Sequence, residues 1–312
     1  MNAPLEPVHS PFGGSAAARV LHCSGSVPLV AKVPAYLHRT SSYAERGIAL
    51  HSALTLLIEM KRRLDDLVGA TFNTYALTLD DVENALRPVY DYVVALLDAP
   101  GAEYYVEQRV VFPTVLNAFG TCDLLVRIGG TVHVVDAKFG SGVRVRALYP
   151  DGDEDILNAQ LMFYAAAARH SLPEFFAGVS EIVLTILQPQ SIELDAEMVS
   201  LVKVTHAELD AFIPVYGTAC AEALSEAPRL KRGAHCRFCV ARVICPEHTG
   251  PLLTSRSSCC RFRRPHRSTR PPICRRSPSA WTFSTRPRTC ARRCMIRPSA
   301  RWRTATTCLA TR

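Results

Sequence analysis

Residues 120–138, G-T-C-D-L-L-V-R-I-G-G-T-V-H-V-V-D-A-K, restrict the fold more than any other stretch. Leu124, Leu125 and Val126, then Val132 to Val135 apart from His133, are apolar enough for two buried strands. Gly129-Gly130 between them is a two-residue hairpin signal. Asp123 stands near the start of this hairpin and Asp136 near its end. Side chains alternate along a strand, so Asp136 and Lys138 point to the same face. Two carboxylates and an ammonium on one sheet face are costly to bury unless they hold something, and a divalent cation suits them. A surface acid pair with a salt-bridged lysine would be written in the same letters, because D-x-K triplets arise often by chance.

The flanking patterns predict an α/β fold with a mixed sheet. Helical spacing of Ile48, Leu54, Leu57, Ile58 and Leu64 predicts a helix over residues 42–67, with Ser41 or Ser42 as cap. A second helix is predicted over 79–97, opened by Thr78 or Asp80 and interrupted near Pro88. Residues 104–112 read as a strand, 151–155 as an acidic loop, 156–170 as an Ala-rich helix and 182–188 as a strand. Thr205 and Glu208 form a capping-box pattern for a helix over 205–225. Residues 1–18, rich in Pro and Gly, read as a flexible leader. No apolar run reaches membrane-span length, which points to a cytoplasmic protein without a membrane partner.

Composition matters for where the body stops. The net charge is +8, yet residues 251–312 hold sixteen Arg and no Lys, Asp or Glu, which leaves −8 on residues 1–250. The tail also holds six of the twelve cysteines. It fits a disordered nucleic-acid-binding arm, a cysteine-rich module, or DNA read out of frame. The complete absence of Lys and acids after Thr249-Gly250 favours the frameshift. The expected organisation is a leader (1–18), one domain (19–250) and this tail (251–312).

Three further features bear on residues 120–138. Gly47 and His51 lie one helical turn apart, and a neutral imidazole there is a possible metal ligand. Gln160 and Tyr164 sit at i, i+4 on one helix face. Glu45 and Glu107 are alternative carboxylates. Each alone is equally a core or surface residue. Arg144 and Arg146, just after Lys138, are candidate phosphate contacts.

The order G-x-x-x-H, then Asp, then D-A-K, then Q-x-x-x-Y resembles the PD-(D/E)XK nuclease superfamily, and within it the RecB-like branch. The resemblance spans about residues 23–245. It implies a restriction-endonuclease-like core, a central mixed β-sheet flanked by helices. It implies His51, Asp123 and Asp136 as ligands of Mg²⁺ or Mn²⁺, with the Ala137 carbonyl completing the set. Lys138 would be the catalytic lysine, with Gln160 and Tyr164 as the supporting helix motif. Asp123 follows Gly-Thr-Cys, so the Pro of the motif name is missing here.

The second cluster is cysteine. Cys236, Cys239 and Cys245 give C-x₂-C-x₅-C followed by Pro, one ligand short of a closed site, and Cys23 is the candidate fourth. One cysteine before the core and three after it resembles the iron–sulfur staple of AddB-type nucleases and CRISPR-associated RecB-like exonucleases. That resemblance implies a 4Fe–4S cluster closing the domain's two ends. A zinc knuckle using His235 or His248, or free thiols, remain open. Cys122 and Cys220 read as small buried hydrophobes. The C-S-G-S start, the Y-A-E-R-G-I-A-L-H helix and N-A-Q-L-M-F-Y resemble an uncharacterised phage and prophage family of this branch. The implied activity is a metal-dependent DNA nuclease, acting as an exonuclease in recombination or repair, with DNA and phage recombination or replication proteins as partners. A non-catalytic nucleic-acid-binding or scaffold protein on the same fold is the alternative, and the acidic body weighs against strong non-specific DNA binding.

Overall fold

The computed structural model describes residues 10–37, 42–60, 62–151, 154–193 and 197–250. The frameshift reading of 251–312 and the first nine residues of the leader lie outside these. Helices α1 (Ala17–His22) and α2 (Ser26–Ala31) lead to the long α3 (Ser42–Met60). A small hairpin, β1 (Thr71–Phe72) and β2 (Tyr75–Ala76), precedes α4 (Arg87–Leu97). Strands β3 (Ala102–Val111), β4 (Phe119–Ile128) and β5 (Thr131–Ala137) follow, then a second small hairpin, β6 (Leu148–Asp151) and β7 (Glu154–Leu157). The described chain closes with α5 (Ala159–Ser171), β8 (Glu181–Leu187), β9 (Val199–Val204), α6 (His206–Ala223) and short 3₁₀ turns around the cysteines.

The central sheet has the order β3-β4-β5-β8-β9. Only β5 and β8 run parallel, and α5 lies within the crossover that joins them. Leu125, Val132, Val134 and Leu184 face the layer of α1, α5 and α6, while Leu124, Val126, Val135 and Leu187 face α3 and α4. Burial on both faces explains why these strands read as apolar runs rather than as alternation. The expected class, a central mixed sheet flanked by helices, is the one formed. The hairpin turns at Gly129-Gly130 as expected, with Ile128 opposite Thr131 and Gly129 at φ 58°. Thr205 and Glu208 make the expected capping box on α6. Among the described residues, no helix is long and apolar enough to cross a membrane.

Several boundaries differ from the expectation. The helix predicted over 42–67 ends at Met60, and Leu64–Leu67 forms a separate 3₁₀ turn. Leu64 and Leu67 both bury there, and a spacing of three suits that turn as well as an α-helix. The second helix is continuous across Pro88: a π-helical segment, Asp81–Leu86, runs into α4, whose first turn accommodates the missing proline N–H. The acidic loop is the tip of the β6–β7 hairpin, so α5 starts at Ala159 rather than at residue 156. Strand β9 was not anticipated.

Residues 10–18 are not a loose leader. Phe12, Ala16 and Ala17 are buried, and the Tyr216 hydroxyl donates to the Phe12 carbonyl at 2.9 Å. Burying one such phenyl ring contributes about 2 kcal/mol. Gly13 and Gly14, which suggested flexibility, serve close approach instead: a Cβ on Gly13 would stand 2.7 Å from the Phe119 carbonyl oxygen.

A buried ion pair fixes α3 to the sheet. Asp81 is 2% exposed and meets Arg46 of α3 at 2.6 Å. Arg46 also donates to the Phe139 carbonyl at 2.7 Å and to Gln190 at 3.0 Å. Burial alone would raise the Asp81 pKa, but hydrogen bonds from the Thr78 N–H and hydroxyl, Arg46 and Tyr75 outweigh it and hold it below 3.8. A folded-state pKa below the unfolded one means stability that is present above pH 3.8 and lost as pH falls through the folded value. Urea unfolding at neutral pH should show Asp81→Ala less stable by about 3 kcal/mol, the cost of stranding Arg46. The gap to wild type should narrow as the solution is acidified below the ordinary carboxylate pKa. A loss no larger than that of a surface pair, about 1 kcal/mol, would remove this role.

Candidate active site

Three acidic residues form a line across three adjacent strands. Val106 pairs with Leu124 and Gln108 with Cys122, so Glu107 of β3 stands opposite Asp123 of β4. Leu124 pairs with Val135, so Asp123 stands opposite Asp136 of β5. The β4–β5 ladder stops at that point, and the Asp123 carboxylate takes over by accepting from the Ala137 N–H at 2.8 Å. From α3, His51 brings Nδ1 to 3.6 Å from Asp123 Oδ2, and its ring packs edge-on to Phe139.

His51, Glu107 and Asp123 place one ligand atom each within 4.8 Å of one another. They line a cleft of about 570 Å³ with Ile48, Ser52, Thr55 and Thr121. One imidazole and two carboxylates suit a hard divalent cation such as Mg²⁺ or Mn²⁺. Glu107 sits at φ 48°, a left-handed conformation that costs a non-glycine residue about 1–3 kcal/mol. Loss of solvent, then the Asp123 charge, pushes its carboxyl above the ordinary range. The repulsion between the Glu107 and Asp123 carboxylates is what a cation would relieve. Glu107 had been only an alternative carboxylate, because its register against Asp123 is a property of the β3–β4 pairing.

Asp136 is held differently. It is 2% exposed, its Oδ2 lies 2.6 Å from Lys138 Nζ, and its Oδ1 accepts from Gln160 Nε2 at 2.9 Å. The same Gln160 amide accepts from Lys138 Nζ at 3.1 Å, so one side chain of α5 ties both ions together. Burial pushes the Asp136 pKa up to about 6, with the Lys138 charge opposing and Asp123 adding. Burial lowers the Lys138 pKa, but Asp136 and Asp123 outweigh it and the net shift is upward. At neutral pH the pair is therefore ionised. Asn158 caps α5 by accepting from the Gln160 and Leu161 N–H groups, which sets Gln160 in the first turn, facing the ions.

Tyr164 lies one turn beyond, its hydroxyl 3.5 Å from Gln160 Nε2. Burial, then the charge of Asp136, drives its pKa far up, so the hydroxyl stays protonated. Its ring sits between two glycines: a Cβ on Gly14 would meet it at 2.8 Å and one on Gly120 at 2.9 Å. Arg144 turns inward and donates to the carbonyls of Gln188 and Glu197, and Arg146 pairs with Glu193 at 2.7 Å. Both candidate phosphate contacts are thus occupied within the protein. Cys122 and Cys220 are buried in the core, where desolvation raises both thiols.

Cys23, Cys236, Cys239 and Cys245 line one small cavity, together with His235 and His248. The chain returns to the N-terminal segment through Gly25 N–H to the Arg229 carbonyl at 2.8 Å and Lys231 N–H to Cys23 Sγ at 3.4 Å. All four are free thiols.

A family model described as "Protein of unknown function (DUF2800)" matches residues 9–263. This chain belongs to that family. The DUF2800 match begins ahead of the buried Phe12 segment and runs past Gly250, where the composition changes. Among solved structures, the DUF2800 chain is similar to a protein from Eubacterium rectale provisionally named an exonuclease. That likeness has 13% identity and a TM-score of 0.43, over 76% of this chain and 93% of that one. It is also similar to the protein SSO0001, with 12% identity and a TM-score of 0.28, over 74% of this chain and 96% of that one.

Gly120→Ala tests the packing behind Tyr164. Over-packing there should cost about 1–3 kcal/mol in urea unfolding, with a change in the near-ultraviolet tyrosine signal. An unchanged spectrum and stability would show that the ring gives way freely.

Proposed function

We propose that this chain is a metal-dependent nuclease that hydrolyses phosphodiester bonds in DNA. The observation that carries the reading is the aligned row Glu107, Asp123 and Asp136, with His51 at one end and the Lys138–Gln160 pair at the other. A Mg²⁺ or Mn²⁺ held by His51, Glu107 and Asp123 would supply Lewis acidity toward the scissile phosphate and a more acidic bound water. The protein's own part is positional. Lys138, kept protonated by Asp136, presents a fixed positive charge to the phosphate as negative charge develops on it. Gln160 bonds to both Lys138 and Asp136 and so holds the ion pair in register with α5. Action on DNA ends, and a place in phage recombination or repair, rest on the sequence resemblance.

The 4Fe–4S reading of the cysteine cavity rests on the sequence resemblance, and it is supported by the cavity that brings Cys23 to the three late cysteines. Cys23 joins Cys236 across more than two hundred residues of chain, where a cross-link restricts the unfolded state most in the loop-entropy account.

Asp136→Ala and Lys138→Ala should each slow Mn²⁺-dependent digestion of labelled DNA about 10²-fold or more while melting as folded proteins. Wild-type rates in either variant would sink the nuclease reading. Protein purified without oxygen should be brown, with iron and sulfide in equal amounts, and Cys23→Ser should bleach it. A colourless protein with one equivalent of zinc would replace the cluster by a knuckle.

A further inference from the structure

A further cavity, of about 460 Å³, adjoins the cysteine module and shares Cys236 and His248 with it. Arg232, Arg237 and Arg242 line it, with Phe238, His248 and Val143. None of the three arginines has an ion-pair partner among the described residues, whereas Arg46, Arg87, Arg146 and Arg169 all do. The three gather around one concavity on a body that carries −8 over residues 1–250. Unpaired like charges around one concavity repel each other and are relieved by a polyanion. Phe238 is 81% exposed, and the Arg237 guanidinium stands 5.8 Å from its ring centroid. An exposed phenyl ring flanked by guanidinium groups is the arrangement that stacks an unpaired base while its phosphates are neutralised.

The cavity also draws on the segment that follows β5. Val143 lies five residues beyond Lys138, in the segment leaving β5, and His248 lines both this cavity and the cysteine cavity. The ligand class follows from the donors. Three guanidinium forks suit phosphates, and a single exposed ring suits a splayed base rather than a closed duplex.

We infer that the Arg232–Arg237–Phe238–Arg242 cavity is a contact site for single-stranded nucleic acid, in which the arginines hold the backbone and Phe238 stacks a base. The inference deepens the nuclease reading by naming the strand form that the chain grips, and it rests on that reading for its place in catalysis. Binding itself does not require cleavage, so the test is run on the full chain in EDTA, where a failure of the nuclease reading leaves the measurement intact.

A single-stranded oligonucleotide carrying 5-iododeoxyuridine is bound, irradiated and digested with trypsin, and the adducts are located by mass spectrometry. The expected adduct is on the tryptic peptide 238–242, at Phe238. In parallel, replacing Arg232, Arg237 and Arg242 with Gln should make the slope of log affinity against log salt shallower by about 2, at roughly 0.7 per phosphate contact. Phe238→Ala should weaken single-strand binding about tenfold and leave duplex binding in place. Adducts confined to residues 251–312 together with an unchanged salt slope would overturn the site. Equal weakening of single strand and duplex by Phe238→Ala would overturn the stacking role.

Discussion

A carboxylate that is 2% exposed at the end of a central strand needs a counter-charge, and here it comes from two residues further along the same strand. The Asp136–Lys138 pair costs desolvation on both sides, which added hydrogen bonds offset. Gln160 supplies one to each ion from the first turn of α5, and Asn158 sets where that turn begins. On the other side, Asp123 completes the broken ladder through Ala137 N–H and turns toward His51 of α3. The helices of both layers are thereby registered against the end of β5, and the site is where the two layers meet the sheet.

The same logic explains the supports. Arg46 binds the Phe139 carbonyl, one residue after Lys138, while Phe139 carries the edge of the His51 ring. The buried Asp81 thus acts on the site through α3 without touching it. Tyr164 depends on two glycines from distant parts of the chain, Gly14 and Gly120, because only a residue without Cβ admits the ring so closely. The N-terminal segment is therefore part of the domain, and its return contacts to Arg229 and Lys231 bring Cys23 beside the three later cysteines.

Much of this was legible in the residues. The hairpin of residues 120–138 carries its own turn and its own period, and Thr205 with Glu208 announces the start of α6 because capping is a local interaction. The i, i+2 relation of Asp136 to Lys138 and the i, i+4 relation of Gln160 to Tyr164 follow from backbone periodicity alone. Glu107 was harder to place. Its neighbour Asp123 lies across a strand pairing, and its φ of 48° falls where the pairs of that ladder skip a residue. Residues 10–18 misled for a related reason, since glycine reads as freedom until a neighbour that needs the space is known.

The sequence by itself determined the central hairpin, the cap of α6, the i, i+2 relation of Asp136 to Lys138 and the spacing of the three late cysteines, all of which depend on separations of a few residues. Tertiary structure alone decided that Glu107 joins His51 and Asp123, that Arg144 turns inward, that Asp81 and Arg46 form the buried clamp on α3, and that Arg232, Arg237 and Arg242 gather around one cavity with Phe238. Each of those depends on sheet register or on the packing of one layer against another. Pairings between residues far apart in the chain are set by the sum of many weak contacts, which no short stretch of sequence contains.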